Sequence, residues 1–471
     1  MFEAKVSSGN AEQLLSRDVF RLGNSFDIFR LLSFYVTSVG YYACTMMTSL
    51  TIYVFLYGKA YLALSGLWRI FDDLALRNHD KPLQTALGTQ FLFQIGFFTA
   101  IPMLVMFMIE EGFIKAVVNI VVMQLQLSSV FFTFSLGTRS HYFSRTVLQG
   151  GAKYQDTGRN FVVQHIKFAQ NYRLYSRSHF VNAFEIMMLL IVIRVYGPQK
   201  SPQSYILFSF FCWFLAISWL FAPFIFNPSG FEWQKTVEDY NNWVKWLLGR
   251  DNFDPNAKDC WENWWMEQQA SNASIMSILL RTALSLRFLF PQFGIIYHLE
   301  KVKNDTSILI YGISWLIFIG IIMLFLTFSY RSNYPGSMRP IRGVLYMILF
   351  VSFVMVEVLG IISINDIFAT IFALIPTGWG LLCIAMIWSE YIQQSPIKPI
   401  WSIVKATAWY YDAAMGMLIF IPIAVLSWFQ FVSIFQTRLL FNQAFSRGLE
   451  ISRILSARKQ QDDEGSTAKI K

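Results

Sequence analysis

The segment Gly88-TQFLFQIGFFTAIPMLVMF-Met108 carries no charged side chain over its whole length and closes on Glu110-Glu111-Gly112, a turn sequence. An α-helix needs about 20 apolar residues to cross a bilayer, so this stretch reads as a transmembrane helix. Nine more apolar blocks lie around it, near 37–57, 114–136, 181–197, 203–226, 275–296, 307–328, 342–362, 366–388 and 414–436. Lipid offers backbone N–H and C=O groups no partners, and a helix satisfies them internally. The expected fold is therefore all-α: a polytopic transmembrane helical bundle of about nine to ten spans with interfacial helices.

Composition agrees. Of 471 residues, 55% are hydrophobic and only 14% charged, against roughly a quarter charged in soluble domains. That excludes a disordered chain and an ordinary soluble protein. The net charge of +9 resides between the apolar blocks, where basic side chains fix orientation against the anionic cytoplasmic leaflet, so nucleic acid is not an expected partner. Cys44, Cys212 and Cys383 fall inside apolar blocks and Cys260 in a polar loop, with neither a disulfide framework nor zinc spacing. The first residues show no signal-peptide pattern, so an internal segment is expected to insert the chain.

The organisation follows from these blocks. Residues 1–36 precede the first span, and 37–136 hold the first transmembrane helices. Residues 137–180 form a basic cytoplasmic loop, with Arg139, Arg145, Lys153, Arg159, Lys167, Arg173 and Arg177 against Asp156 alone. A hairpin at 181–226 leads to a Trp-rich interfacial or cytoplasmic segment at 227–274. The bundle resumes over 275–436, and 437–471 is a basic tail. With residues 1–36 and 137–180 both cytoplasmic, three apolar stretches between them violate parity. Residues 114–136, which contain Gln124, Gln126 and Ser128-Ser129, are read as re-entrant or interfacial. The side of the tail stays open.

The signatures of soluble catalysis are absent: no Gly-rich phosphate loop, HExxH, GxSxG or paired-Cys zinc motif, and only five His. In the 141–180 loop, basic and aromatic residues alternate around Arg173, Tyr175 and Arg177. Such a pattern can line a path for a nucleotide or a sugar chain, since arginine pairs with phosphate and aromatic faces stack on sugars. Composition alone favours the plainer alternative of a positive-inside anchor. Charge at membrane depth is costly and faces a cavity or a partner. Glu357 is the candidate for a cavity-lining group, whereas Glu185 and Arg281 are read as packing groups. Asn304-Asp-Thr306 is a glycosylation pattern in a turn placed outside, and Asn272-Ala-Ser274 is a second match on the cytoplasmic side.

MFEAKVSSGNAEQLLSRDVFRLGNSFDIFRLLSFY (1–35), the 141–180 loop, FAPFIFNPSGFEW (221–233) and FQTRLLFNQAFSRGLEISRIL (435–455) resemble the 1,3-β-glucan synthases, specifically the callose synthases of plants, in their C-terminal transmembrane region. The resemblance covers essentially the whole chain. It implies a multi-pass plasma-membrane part of a processive enzyme that polymerises glucose from UDP-glucose and translocates the glucan. Full members are several times longer, so this chain is expected to lack most of the catalytic region and to be inactive alone. Its partners would be the bilayer, the glucan, and the missing catalytic region or another synthase subunit. No cofactor is expected in this chain; UDP-glucose is the donor, and the resemblance allows a divalent cation in the complete enzyme.

The resemblance also gives residues 1–36 a role as the end of the glucosyltransferase region. Gln13 and Arg17, four apart, would share a helix face. Arg17 would stabilise the UDP leaving group, Gln13 would position the acceptor sugar, and Lys5 would add a second cation. The structural alternative is a helix start capped by Ser16. Two other functions suit the same composition: a solute transporter or channel, against which stands the lack of a visible inverted repeat, and a non-catalytic membrane partner of another synthase. No metal-binding pattern is found.

Overall fold

A computed structural model of the chain describes residues 2–65, 98–149, 165–196, 203–248, 260–269, 275–292, 364–394 and 398–441. Among these residues the protein is all-helical, with no strand. The first helices are α1 (Phe2–Leu15), α2 (Arg17–Ser25), α3 (Ile28–Thr37) and α4 (Val39–Ser65), followed by α5 (Phe98–Glu111), α6 (Phe113–Leu125) and α7 (Ser128–Gln149). Next come α8 (Phe168–Tyr175), α9 (Val181–Tyr196), α10 (Gln203–Ile225), α11 (Trp233–Leu248) and α12 (Trp261–Gln269). The last group is α13 (Ile275–Ser285), α14 (Ile364–Ile387), α15 (Ser389–Gln394), α16 (Lys398–Ser427) and α17 (Gln430–Phe441).

Among the described residues, three helical stretches are long and apolar enough to cross a bilayer: Val39–Leu64, Phe168–Arg194 and Val404–Ser427. A fourth arises if α6 and α7 count as one span, although they bend by 63° at their junction. The bend sits on Leu127, a non-glycine residue at φ +56°, a backbone state that is sterically unfavourable for L-residues. This is the geometry of a broken span or a re-entrant segment, over the residues expected to be re-entrant or interfacial. The structure thus establishes a helical bundle with three span-length helices. The larger count rests partly on 307–328, 342–362 and 88–97, which lie outside the described residues, as does the tail beyond 441.

The second span differs from its expected extent. Residues 168–180, assigned to the polar loop, continue α9 backwards as α8 joined through a π-helical turn at Ser176–Phe180. Asn, Arg and Ser in this stretch suppress its average apolarity, yet Phe168, Tyr172 and Phe180 are buried, so packing carries the helix through. The Trp-rich segment does form two helices, α11 and α12. Most of its indoles turn inward rather than outward: Trp243, Trp246, Trp261, Trp264 and Trp265 all belong to the main core.

That core is shared by α4 (Leu56, Ala60), α8–α9 (Phe180, Ile186, Leu189), α10 (Trp219, Phe224), α11, α12 and α16 (Ile419, Phe420). Gly416 on α16 allows the closest approach, since a Cβ there would overlap the Trp243 ring. Gln436 on α17 closes the far end of α10. Its Nε2 donates to the carbonyls of Phe224 (2.9 Å), Ile225 (3.0 Å) and Asn227 (2.7 Å), while its Oε1 accepts from the Phe231 N–H. Terminal helix carbonyls lack intrahelical partners, and here one buried amide supplies them. The amino-terminal helix α1 lies along α7, where Arg139 forks onto Glu3 at 2.7 and 3.0 Å and also donates to the Tyr41 hydroxyl.

Candidate functional site

Helix α16 carries Asp412 into the core, where the residue is fully buried. A lone carboxylate there would be prohibitively costly, and the surrounding helices supply donors. The hydroxyl of Tyr172 on α8 donates to Oδ1 at 2.9 Å. Arg177, in the π-helical turn, donates from Nη2 to Oδ2 at 2.8 Å, and the Trp261 indole N–H of α12 reaches the same oxygen at 3.0 Å. The guanidinium of Arg177 also lies over two rings, Trp264 at 5.1 Å and Trp379 of α14 at 4.8 Å. π-Helical turns recur at functional positions, and this one brings an arginine from a span onto a carboxylate of another.

Around this centre is a nearly continuous wall of rings. Tyr172 lies 4.8 Å from Trp243, which lies 5.0 Å from Trp246, and Trp246 lies 5.6 Å from Trp264. Trp265 stacks on Trp261 at 5.6 Å, and Trp379 stacks on Tyr411 at 4.5 Å. Several polar atoms in this region have no hydrogen-bonding partner, among them Arg177 Nη1 and the indole nitrogens of Trp243, Trp246 and Trp265. Each buried donor left unmet costs about 1–3 kcal/mol.

A second ion pair, with its carboxylate buried and its arginine partly exposed, lies between α9 and the 3₁₀ turn after α13. Glu185 receives Arg287 Nε at 2.9 Å and Nη2 at 3.2 Å, and the Tyr57 hydroxyl at 2.7 Å. A third polar knot sits outside the spans. His165 meets the Pro228 carbonyl through Nδ1 at 2.8 Å and Asp239 through Nε2 at 3.1 Å. Both of these partners are acceptors, so the imidazolium makes both bonds, while the Asn227 amide nitrogen lies 3.4 Å from Nδ1. The hydrogen bond to Asp239 holds the histidine pKa above its ordinary value, against the opposing effect of burial. Among the described residues no group of three His, Cys, Asp or Glu side chains could hold a metal ion.

The residues expected to act are distributed unevenly. Arg177 and Tyr175 stand together on the α8 side of the core, Tyr175 packing its ring on Phe134 at 5.2 Å and His179 at 5.2 Å, and Arg173 is half-buried one turn earlier. Gln13, Arg17 and Lys5 are exposed and remote in sequence from that centre. The helix breaks between Gln13 and Arg17: Ser16 holds an extended conformation as N-cap of α2 without making a side-chain cap, and its hydroxyl donates backwards to the Gln13 carbonyl at 2.7 Å. The shared face that an unbroken helix would give this pair is therefore absent. Glu357, Asn304 and Asn272 lie outside the described residues. Asp412 lies just ahead of the block expected from 414, and its sequence signal is a single acid between Tyr411 and Ala413 in an otherwise uncharged run.

The family described as 1,3-beta-glucan synthase component matches residues 1–371. Callose synthase 10 of Arabidopsis thaliana is 53% identical over 465 residues, covering 98% of this chain and 24% of that protein. Callose synthase 9 of the same plant is 51% identical over 461 residues, 97% of this chain and 24% of the relative. Callose synthase 7 is 48% identical over 471 residues, again 24% of its length. The chain thus spans 24% of the length of these curated relatives. No solved structure matches it significantly.

Proposed function

This chain belongs to the 1,3-beta-glucan synthase family, and from that premise we propose that it forms the membrane-embedded part of a processive 1,3-β-D-glucan (callose) synthase of the plasma membrane. The complete assembly polymerises glucose from UDP-glucose and passes the polymer across the bilayer. UDP-glucose, with a divalent cation where the reaction uses one, is bound by a catalytic region or synthase subunit that docks on this chain. The observation that carries this reading is the 53% identity to callose synthase 10 over 98% of the chain. It is supported by helices long enough to cross a membrane and by an aromatic core that surrounds a buried carboxylate.

Within it, exposed Arg17 is assigned to the diphosphate leaving group, Gln13 to the acceptor sugar and Lys5 to a second cationic contact. Arg173, Tyr175, Arg177 and Glu357 are assigned to the glucan path, and Asn304 to glycosylation. A cation aimed at developing negative charge lowers the barrier most in a water-poor site.

The test is a chimera in which this chain replaces the matching quarter of Arabidopsis callose synthase 10. Membranes carrying it are expected to convert UDP-glucose into polymer that a 1,3-β-glucanase digests, and Arg17→Ala should lower turnover about a hundredfold. This chain alone should make no glucan. A correctly inserted chimera that makes no polymer, beside an active parent, would overturn the proposal.

A further inference from the structure

Helices α2 and α3 hold nine and ten residues and bury none of them. Isolated helices shorter than about 12 residues are marginal in water, so both need a partner for their apolar side chains. On α3 these side chains form a stripe. Ile28, Leu32 and Val36 recur at i, i+4 and i+8 and are 75%, 60% and 58% exposed, with Phe29 exposed beside them. Arg30, Ser33 and Thr37 occupy the other side of the helix. On α2, Phe20 is exposed as well.

The stripe adjoins the mouth of a span. Helix α3 ends one residue before α4, whose Val39–Leu64 stretch is long and apolar enough to cross a bilayer. Ser38 breaks the helix there at φ −120°, ψ −96°. The turn is tight, since a Cβ at Gly40 would overlap the Tyr35 ring and carbonyl, so α3 leaves the axis of α4 instead of extending it. Polar side chains at the turn bond inward: the Thr37 hydroxyl donates to the Ser33 carbonyl at 2.7 Å, and the Ser38 hydroxyl donates to that of Phe34. Neither hydroxyl needs water.

Two coverings suit an apolar stripe here: lipid, or the further chain of the relatives, of whose length this chain spans 24%. Position favours lipid, because the stripe stands at the end of a span, where a bilayer passes from acyl chains to headgroups. Charge sets the terms of the contact. Arg17, Arg21 and Arg30 stand against Asp18 and Asp27, an excess too small to anchor the segment electrostatically. Arg21 and Arg30 approach their aspartates only at 3.9 and 4.0 Å and stay exposed, which leaves their N–H groups free for phosphate oxygens.

We infer that α2 and α3 form an interfacial anchor on a phospholipid surface. The Ile28–Leu32–Val36 stripe enters the boundary between headgroups and acyl chains, and Arg21 and Arg30 meet the phosphates. Helices of this kind sink about 5–10 Å into that boundary. The anchor fixes the level at which the chain enters α4. It rests on the membrane-embedded part of the reading above and on none of its sugar chemistry.

The test uses the wild-type chain in nanodiscs of phosphatidylcholine alone, a fraction of which carries a diazirine high in one acyl chain. After illumination, mass spectrometry locates the lipid adducts. They are expected on Ile28, Phe29, Leu32 and Val36, and on Val54, an exposed residue within α4, but not on Arg30, Ser33 or Thr37. Leu32→Asp and Val36→Asp should each lower the adduct yield over 28–37 about tenfold or more, since a carboxylate is costly in that layer. Because the mapping is made on the wild-type chain, it needs no variant to fold.

Adducts on Val54 with none on the stripe would overturn the anchor and leave the span standing. Adducts spread evenly around α3 would overturn its orientation and the anchor with it. The same mapping on the chimera with callose synthase 10 tests the other covering: loss of stripe adducts there, with Val54 still labelled, would assign the stripe to the catalytic region and sink the proposal. Absence of adducts on both Val54 and the stripe would remove the membrane reading itself. Stripe adducts in a chimera that makes no glucan would uphold the anchor while the synthase reading falls.

Discussion

Arg177 and Asp412, 235 positions apart, meet at 2.8 Å through Nη2 and Oδ2. The pair closes a span that begins at Phe168 onto one that ends at Ser427. Ion pairs in low dielectric recover their desolvation only when the remaining lone pairs are also satisfied. Here Tyr172 and Trp261 complete the carboxylate.

Removing both partners should therefore cost less than the two single removals added together. Asp412→Ala leaves a guanidinium, a phenol and an indole N–H without their acceptor, and is expected to cost about 3–5 kcal/mol. The double variant Asp412→Ala/Arg177→Met should lose clearly less than the sum of the singles. Thermal unfolding in nanodiscs reads both, and strict additivity would show that the pair is not coupled.

Two glycines should respond in opposite directions. A Cβ at Gly416 would overlap the Trp243 ring, whereas at Gly58 of α4 no atom stands within 4 Å. Gly416→Ala is expected to destabilise by about 1–3 kcal/mol through overpacking. Gly58→Ala should stabilise by up to about 1 kcal/mol through helix propensity. Equal midpoints for the two variants would refute the close α11–α16 contact.

The His165 knot predicts a pH dependence. Its folded pKa is raised, first by the Asp239 hydrogen bond and against burial, with Lys235 opposing. A raised folded pKa means that protonation stabilises the fold. The contribution is complete below the unfolded value of about 6.5 and is lost as pH rises through the folded pKa. The unfolding midpoint of wild type should therefore exceed that of His165→Gln by most in mildly acidic buffer, and the gap should close towards alkaline pH. A gap that widens with pH would reverse the assignment.

Glu185 offers a graded test. Its carboxylate accepts from Arg287 and Tyr57, and its side chain is only 1% exposed while that of Arg287 is 38% exposed. Because Arg287 can still reach solvent or headgroups by extending, Glu185→Gln should cost about 1–3 kcal/mol, less than the Asp412→Ala loss. Comparable losses would show that Arg287 is held as rigidly as Arg177.

Helical architecture was legible because uninterrupted apolar runs leave the backbone no other way to be satisfied. The paired state of Glu185 was also readable, since a carboxylate in an apolar helix demands a partner. Residues 168–180 were not: Asn171, Arg173 and Arg177 read as loop until tertiary partners such as Asp412 are known. The indoles of α11 and α12 misled differently. Tryptophan has an affinity for membrane interfaces as well as for protein cores, and only three-dimensional neighbours distinguish the two. Ser16 illustrates the remaining limit, because its hydroxyl chose the Gln13 carbonyl over the helix it precedes, a local competition invisible in residue order.

The Gln436 clamp imposes an order on biogenesis. The carbonyls of Phe224, Ile225 and Asn227 leave the ribosome 209 to 212 residues ahead of the amide that finally engages them. Throughout that interval these carbonyls have only the local bonds from the Asn227 N–H to Phe224 and from the Gly230 N–H to the Asn227 carbonyl. Nascent chains stalled before Gln436 would consequently remain open to proteolysis at the 226–230 turn, and release from quality control would wait for the arrival of α17.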